Sequence, residues 1–396
     1  MKDFLGILLF RHTEILKSNN LYARFINNNF FVGPLTGPHS NTLACFYYSI
    51  IIIKNGKINE SYRDIQTCFI CDIIYGMAKE KKTFTKKELK ELTAEQVIDK
   101  LQHENYSLLT TLGAEKLRKE MVPVGKACNT AINYFFRTTG PKKDIEKHNQ
   151  AARKKLVRIL SKITPGSYSG MPKDNPNGMV VGFNHPSLGE IARILTMKID
   201  IMGDKPMFFP VNLPWYESLA PNYDRIKRLG IIITPTITPA TWKKMNLKEG
   251  TLLYEEGNRL KKEFRDIYTK ISHDGIKEGG VVFVAPSATR QATVFKNEDV
   301  FNKKEDIIPT MSMLALKLYS DPEMNCDFVP LAILPPKNYK RGLNFRKKYR
   351  LIPGEIMSAA EIRKKYFKTK NPKRLEGFDY DFHQRIADKL PKDFWY

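Results

Sequence analysis

Apolar residues along the chain fall into two kinds of run. Short blocks sit at residues 179–183 (MVVGF), 230–234 (GIIIT), 251–254 (TLLY), 280–285 (GVVFVA) and 328–334 (FVPLAIL), each bounded by Gly, Pro or charge. They are too short for helices and rich in strand formers, so they predict buried strands. Between them, longer stretches repeat apolar positions at three- and four-residue intervals, notably 258–273 and 310–319, and predict helices. The alternation predicts an α/β domain over residues 151–396, with a mixed, mostly buried sheet flanked by helices.

Residues 1–150 read differently. Amphipathic stretches at 94–109 and 114–121, punctuated by Gly33-Pro34, Gly37-Pro38 and Val122-Pro123, predict a helical N-terminal domain without a catalytic constellation. Residues 142–162 predict an amphipathic basic helix with Ile145, Ala152, Leu156, Ile159 and Leu160 inward. Its cations form either a solvated face or a membrane-docking one. The turn-rich stretch 165–178 is then the entrance to the second domain, and Glu255-Glu256-Gly257-Asn258-Arg259 a strand-to-helix connection.

The longest apolar run, LACFYYSIIII at 43–53, is eleven residues, against the ~20 needed to span a bilayer, and reads as a buried core segment. The opening MKDFLGILLFRHTEIL carries an acid at position three and breaks at Arg11-His12, a poor fit to a secretory signal. A cytoplasmic protein is expected, with peripheral contact at the inner membrane surface left open.

Composition narrows the partners. The 396 residues are 42% hydrophobic, ordinary for a globular chain, but 65 Lys+Arg against 42 Asp+Glu leave a formal +23. Such a balance points to an anionic partner: a membrane surface, nucleic acid, or phosphorylated metabolites and acidic carriers. Nucleic acid fits poorly, since the cations are spread along the chain without zinc-finger spacing, an RNP-like aromatic block or a heptad zipper. Five cysteines make no disulfide framework and suit a reducing compartment. Cys68 and Cys71 flank Phe69-Ile70 and read as core cysteines, so no metal site and no cofactor is expected.

The candidate chemistry centres on Asn184-His185-Pro186, where the 179–183 block stops and a helical pattern carrying Glu190 begins. Pro186 suits a first helical position. The first turn of such a helix brings Glu190 back toward the imidazole, where a carboxylate can keep one ring nitrogen protonated and leave the other as a base. A second feature is VVFVAPSATR at 281–290, a predicted strand that presents Arg290 in a small-residue turn, suited to bidentate capture of a phosphate. The block FVPLAILPP at 328–336 reads as a cleft wall.

Asn184-His185-x4-Glu190, then APSATR, then VPLAILPP, with YRLIPGEIM at 349–357 behind them, together resemble the glycerolipid acyltransferase family, most closely its soluble plastid-type glycerol-3-phosphate acyltransferases. The resemblance covers roughly residues 179–358. It implies that His185 is the general base, Glu190 its orienting carboxylate, and Ser287 and Arg290 part of the acceptor's phosphate site, while the proline-flanked strand lines the acyl site. Lys243 and Lys244 are a loose match to the family's Lys-His pair. The sequence departs in carrying Glu190 where the family has Asp, and Ala292 where plastid-type enzymes have a second arginine.

The resemblance implies direct acyl transfer from acyl-CoA or acyl-carrier protein to glycerol 3-phosphate, in phospholipid biosynthesis, with a lysophospholipid as the alternative acceptor. The competing class is a non-enzymatic basic protein at a membrane surface or on nucleic acid.

Overall fold

The computed structural model describes residues 22–26, 29–33 and 81–394, apart from 138–143, 173–174, 188, 287–309, 338–347, 370–371 and 373–374. The chain divides into two units, Met1–Met77 and Ala78–Tyr396. In the first, the described residues are an antiparallel hairpin of β1 (Tyr22–Ile26) and β2 (Asn29–Gly33). The 43–53 run, Cys68 and Cys71 lie outside the described residues.

The second unit holds a seven-stranded mixed sheet flanked by helices, ordered β3-β9-β8-β4-β7-β5-β6. Its strands are β3 (Gly166–Ser167), β4 (Met179–Phe183), β5 (Met207–Asn212), β6 (Ile231–Thr236), β7 (Val281–Val284), β8 (Asp327–Leu334) and β9 (Tyr349–Pro353). Strands β4 to β8 are mutually parallel, whereas β9 runs antiparallel to β8. Parallel strands need both faces covered, and β4 and β7 are accordingly buried at every residue. Four of the five apolar blocks are strands, as their length and β-branched content require.

The fifth is not. Residues 251–254 open a helix, Leu252–Lys277, whose N-cap is Thr251, its hydroxyl accepting from the Tyr254 N–H. Buried Leu260, Phe264 and Tyr268 recur four residues apart on one helical face, and this period outweighs the apolar triplet before it. The acidic stretch read as a connection, 255–259, therefore lies inside the helix. Gly257 there is a packing position, since a Cβ would stand 3.1 Å from the Trp242 ring. Likewise, Val122-Pro123 does not end a helix: Glu115–Arg137 runs through it.

Numbered in chain order, the helices are α1 (Lys86–Glu91), α2 (Ala94–His103), α3 (Leu108–Thr111), α4 (Glu115–Arg137), α5 (Ile145–Ile163), α6 (Gly189–Met202), α7 (Leu213–Leu219), α8 (Tyr223–Arg228), α9 (Pro239–Met245), α10 (Leu252–Lys277), α11 (Thr310–Leu318), α12 (Ala359–Tyr366) and α13 (Phe378–Ala387). One face of the sheet presents Val180, Phe208, Val282, Val284, Phe328 and Ala332 to Tyr268 and Ile276 of α10, Met311 and Leu314 of α11, Ile362 of α12, and Phe378 and Phe382 of α13. Val181, Phe183, Phe209 and Phe283 alternate with these and point the other way.

Helices before residue 150 pack within this same unit: α4 on α7, and α1 and α2 on α10. The buried Glu217 carboxylate ties α3 down by accepting from Ser107 Oγ at 2.7 Å and the Leu109 N–H at 2.8 Å. Burial pushes that carboxyl up from the usual range, so its hydrogen bonds carry the compensation. Among the described residues, no helix is long and apolar enough to cross a membrane.

Candidate functional site

The site forms where β4 ends. Asn184 is 4% exposed, and its side chain continues the sheet one step past the strand. Its Nδ2 donates to the Ile333 carbonyl at 3.0 Å and its Oδ1 accepts from the Ile333 N–H at 2.6 Å. A side chain that mimics a ladder rung fixes the direction in which the chain leaves β4. His185 is the next residue, held at the rim of a parallel sheet, where strand ends and helix starts create a crevice.

The helix that follows starts at Gly189, not at Pro186. Ser187 is the reason. Its Oγ accepts from the Gly189 N–H at 3.2 Å, and its own N–H donates to Glu190 Oε2 at 3.1 Å. This is a variant of the capping box S-x-x-E, in which a carboxylate three residues on satisfies the cap's backbone donor. Ser187, the residue after Pro186, is thus spent on the cap.

Glu190 is fully buried, and each oxygen is occupied. Oε1 accepts from His185 Nδ1, while Oε2 also accepts from Ser187 Oγ at 2.8 Å. With Glu190 as carboxylate, Nδ1 carries the ring proton, and Nε2 presents its lone pair. Among the described residues Nε2 has no partner, and the His185 side chain keeps 17% of its surface exposed. Such an imidazole is oriented from behind and open in front.

A further residue supports this set from across the sheet. Tyr349, the first residue of β9 and fully buried, places its hydroxyl 2.7 Å from Ser187 Oγ. Since the Ser187 proton goes to Glu190, the tyrosine is the donor. The contact needs Gly189: a Cβ there would stand 2.5 Å from the Tyr349 hydroxyl oxygen. The chain Tyr349–Ser187–Glu190–His185 is therefore one hydrogen-bonded line. Ser187 was detectable in the sequence from S-x-x-E, whereas Tyr349 had no local signal, since only sheet order brings it there.

Aromatic rings line the sheet beside the histidine. Phe183 meets the His185 ring edge-on at 6.1 Å between centroids, then Phe209 at 6.4 Å, and Phe209 stacks on Phe283 at 5.4 Å. The row crosses β4, β7 and β5. Phe183 and Phe283 are buried within it, whereas Phe209 is half-buried and leaves ring surface accessible.

The remaining predicted residues are placed as follows. Strand β7 ends beside β4, with Gly182 opposite Val284, and Pro286 is buried. Ser287 and Arg290 lie outside the described residues. Lys243 and Lys244 are exposed in the last turn of α9. That helix follows β6, three strands from β4, about 14 Å across the sheet. The 328–334 block is β8, next to β4, and its Ile333 holds Asn184.

The fold and the site define an α/β protein with a carboxylate-oriented histidine at the ends of parallel strands. The chain matches no known protein-family model and no curated protein.

Proposed function

We propose that the chain is an acyltransferase that moves a fatty acyl group from the thioester of acyl-CoA or acyl-carrier protein to the hydroxyl of glycerol 3-phosphate. The observation that supports this best is the His185–Glu190 pair, with Nε2 unpartnered among the described residues and the ring edge-on to Phe183. Nε2 takes the proton of the acceptor hydroxyl as its oxygen attacks the thioester carbonyl. Glu190 stabilises the imidazolium through Nδ1. The tetrahedral intermediate collapses with loss of the thiolate, to which the imidazolium returns the proton, so no acyl-enzyme forms. A general base of this kind contributes about 10²–10⁴-fold, and substrate positioning supplies much of the rest.

The half-buried Phe209, in the aromatic row that begins beside His185, offers ring surface to the apolar acyl chain. The phosphate end of the acceptor is assigned from sequence to Ser287 and Arg290. Lysophospholipid is the second acceptor, because both classes present a free glycerol hydroxyl near a phosphate.

Labelled acyl transfer to glycerol 3-phosphate and to a panel of lysophospholipids tests the proposal. The expected result is transfer by the wild-type chain and loss of at least about 100-fold in His185→Ala. Circular dichroism should show the variant folded at the assay temperature, although its melt is lowered by the donor lost to buried Glu190. Equal activity in that variant, or no transfer to any acceptor from either thioester, would overturn it.

A further inference from the structure

Helix α5 (Ile145–Ile163) has an outer face that the proposed reaction does not use. Its inner face is well anchored: Ala152 and Leu156 are buried, His148 Nε2 bonds the Phe136 carbonyl at 2.9 Å, and Arg153 is paired with Glu146 and Asp204. Ile145, expected inward, is instead 65% exposed, because the first turn precedes the residues that dock.

The solvent side carries Lys147, Gln150, Ala151, Lys154, Arg158, Ser161 and Lys162. At 100° per residue its four cations fall within about 80° of one another, along a line about 22 Å long. Between Lys147 and Lys162 no acidic residue occurs, and Asp144, the N-cap, stands one turn before Lys147. All four are exposed, and among the described residues only Lys147 has an ion pair, with Asp144 at 3.3 Å. The like charges are close enough to be felt: Lys155, over the Tyr134 ring, is held below the ordinary lysine range by burial and then by Arg158.

We infer that this face docks the protein on an anionic lipid surface. A straight array of cations on a convex helix can meet a plane of headgroups all at once, and each contributes without a specific partner. Three of the four are lysines, mobile point charges suited to a fluid array, whereas fixed phosphates of nucleic acid favour the arginine fork. Protein interfaces take their affinity from aromatic and apolar anchors, and this line has none. Ile145, the most exposed large hydrophobic among the described residues, lies about 140° around the helix from the centre of the cation line, on the side of Ala152 and Leu156, so the docking face is purely cationic. The face leads toward the candidate site, since α5 runs into Gly166, which pairs with Tyr349. The inference is independent of the proposed reaction.

The test is co-sedimentation of the full chain with vesicles of phosphatidylcholine alone and of phosphatidylcholine with phosphatidylserine at about three to one. Wild type binds the anionic vesicles, not the neutral ones, and salt releases it. Each cation removed lowers the partition about five-fold, so K154Q/R158Q/K162Q falls about 100-fold and the single variant R158Q about five-fold. The control K262Q/R265Q/K270Q, exposed cations on α10 (Leu252–Lys277), stays within about two-fold of wild type. The inference is overturned if wild type ignores anionic vesicles, if the α5 variants bind as wild type does, or if the control falls equally. It is also overturned if the same residues bind duplex nucleic acid more tightly than vesicles.

Discussion

Gly189→Ala probes the hydrogen-bonded line behind the imidazole without touching it. Alanine at the start of a helix ordinarily stabilises, by up to about 1 kcal/mol relative to glycine. Here the new methyl would stand 2.5 Å from the Tyr349 hydroxyl oxygen, 2.9 Å from Cζ and 3.0 Å from Cε2. The ring is fully buried in β9 and cannot turn into solvent, so overpacking of about 1–3 kcal/mol is expected. Displacing the hydroxyl from Ser187 forfeits a further hydrogen bond, about 1 kcal/mol. After the propensity gain, the variant should be about 1–3 kcal/mol less stable than wild type. Tyr349→Phe removes both the oxygen and the bond, so adding Gly189→Ala to it should cost about 1 kcal/mol less than in wild type. Urea denaturation of the four proteins measures the cycle, with m held constant as the check on two-state behaviour. An alanine variant as stable as wild type, or strictly additive substitutions, would refute the close approach and with it the role given to Tyr349.

The other expectations can be checked on the same material. Ser187→Ala strips Glu190 of a donor and leaves the buried Tyr349 hydroxyl and the Gly189 N–H without this acceptor, so a loss of about 2–4 kcal/mol is expected in urea denaturation. Glu190→Gln retains the shape but presents one amide to partners that all donate; acyl transfer should fall at least about 100-fold, with acceptor KM little changed in steady-state kinetics. His383 of α13 is buried, and burial pushes its imidazole down from 6.5 to about 4. Above pH 6.5 neither the folded nor the unfolded chain binds this proton, and below it only the unfolded chain does. Its contribution is therefore present at neutral pH and lost as pH falls from 6.5 toward 4, about 2 kcal/mol by pH 5. His383→Phe should flatten urea stability against pH in that window, and a slope unchanged by the substitution would count against the assignment.

How much of this was legible in the sequence depended on range. Blocks with one strong local signal were read correctly: Met179–Phe183 is a five-residue strand between a turn and a histidine, as its β-rich run and abrupt polar stop require. Thr251-Leu252-Leu253-Tyr254 failed because an apolar triplet has no period of its own, and the helix behind it supplied one. Pro186 was mistaken for a first helical residue because proline tolerates that place, while the stronger S-x-x-E signal lay one residue further on. The His185–Glu190 contact was foreseeable from spacing alone. Tyr349 was not, being 162 residues from Ser187, since its arrival depends on β9 pairing with β8 and on Gly189 leaving room.

The structure also gives a physical reason for glutamate at 190, where the resembling family has aspartate. The carboxylate must satisfy donors in two directions: His185 Nδ1 at the rim, and the Ser187 N–H and Oγ at the helix cap. From the third residue after a cap, glutamate is the side chain that reaches back to the cap's amide. Aspartate is one carbon–carbon bond shorter, about 1.5 Å, and would have to give up either the cap or the imidazole. Helix start and ring orientation are thus made of the same hydrogen bonds in this chain. It follows that lost activity in a Ser187 variant cannot by itself assign Ser187 a part in the chemistry. The two roles separate only when stability and rate are measured together: a purely structural loss lowers the folded fraction and leaves turnover per folded molecule intact, whereas a misdirected imidazole lowers turnover in molecules that are still folded.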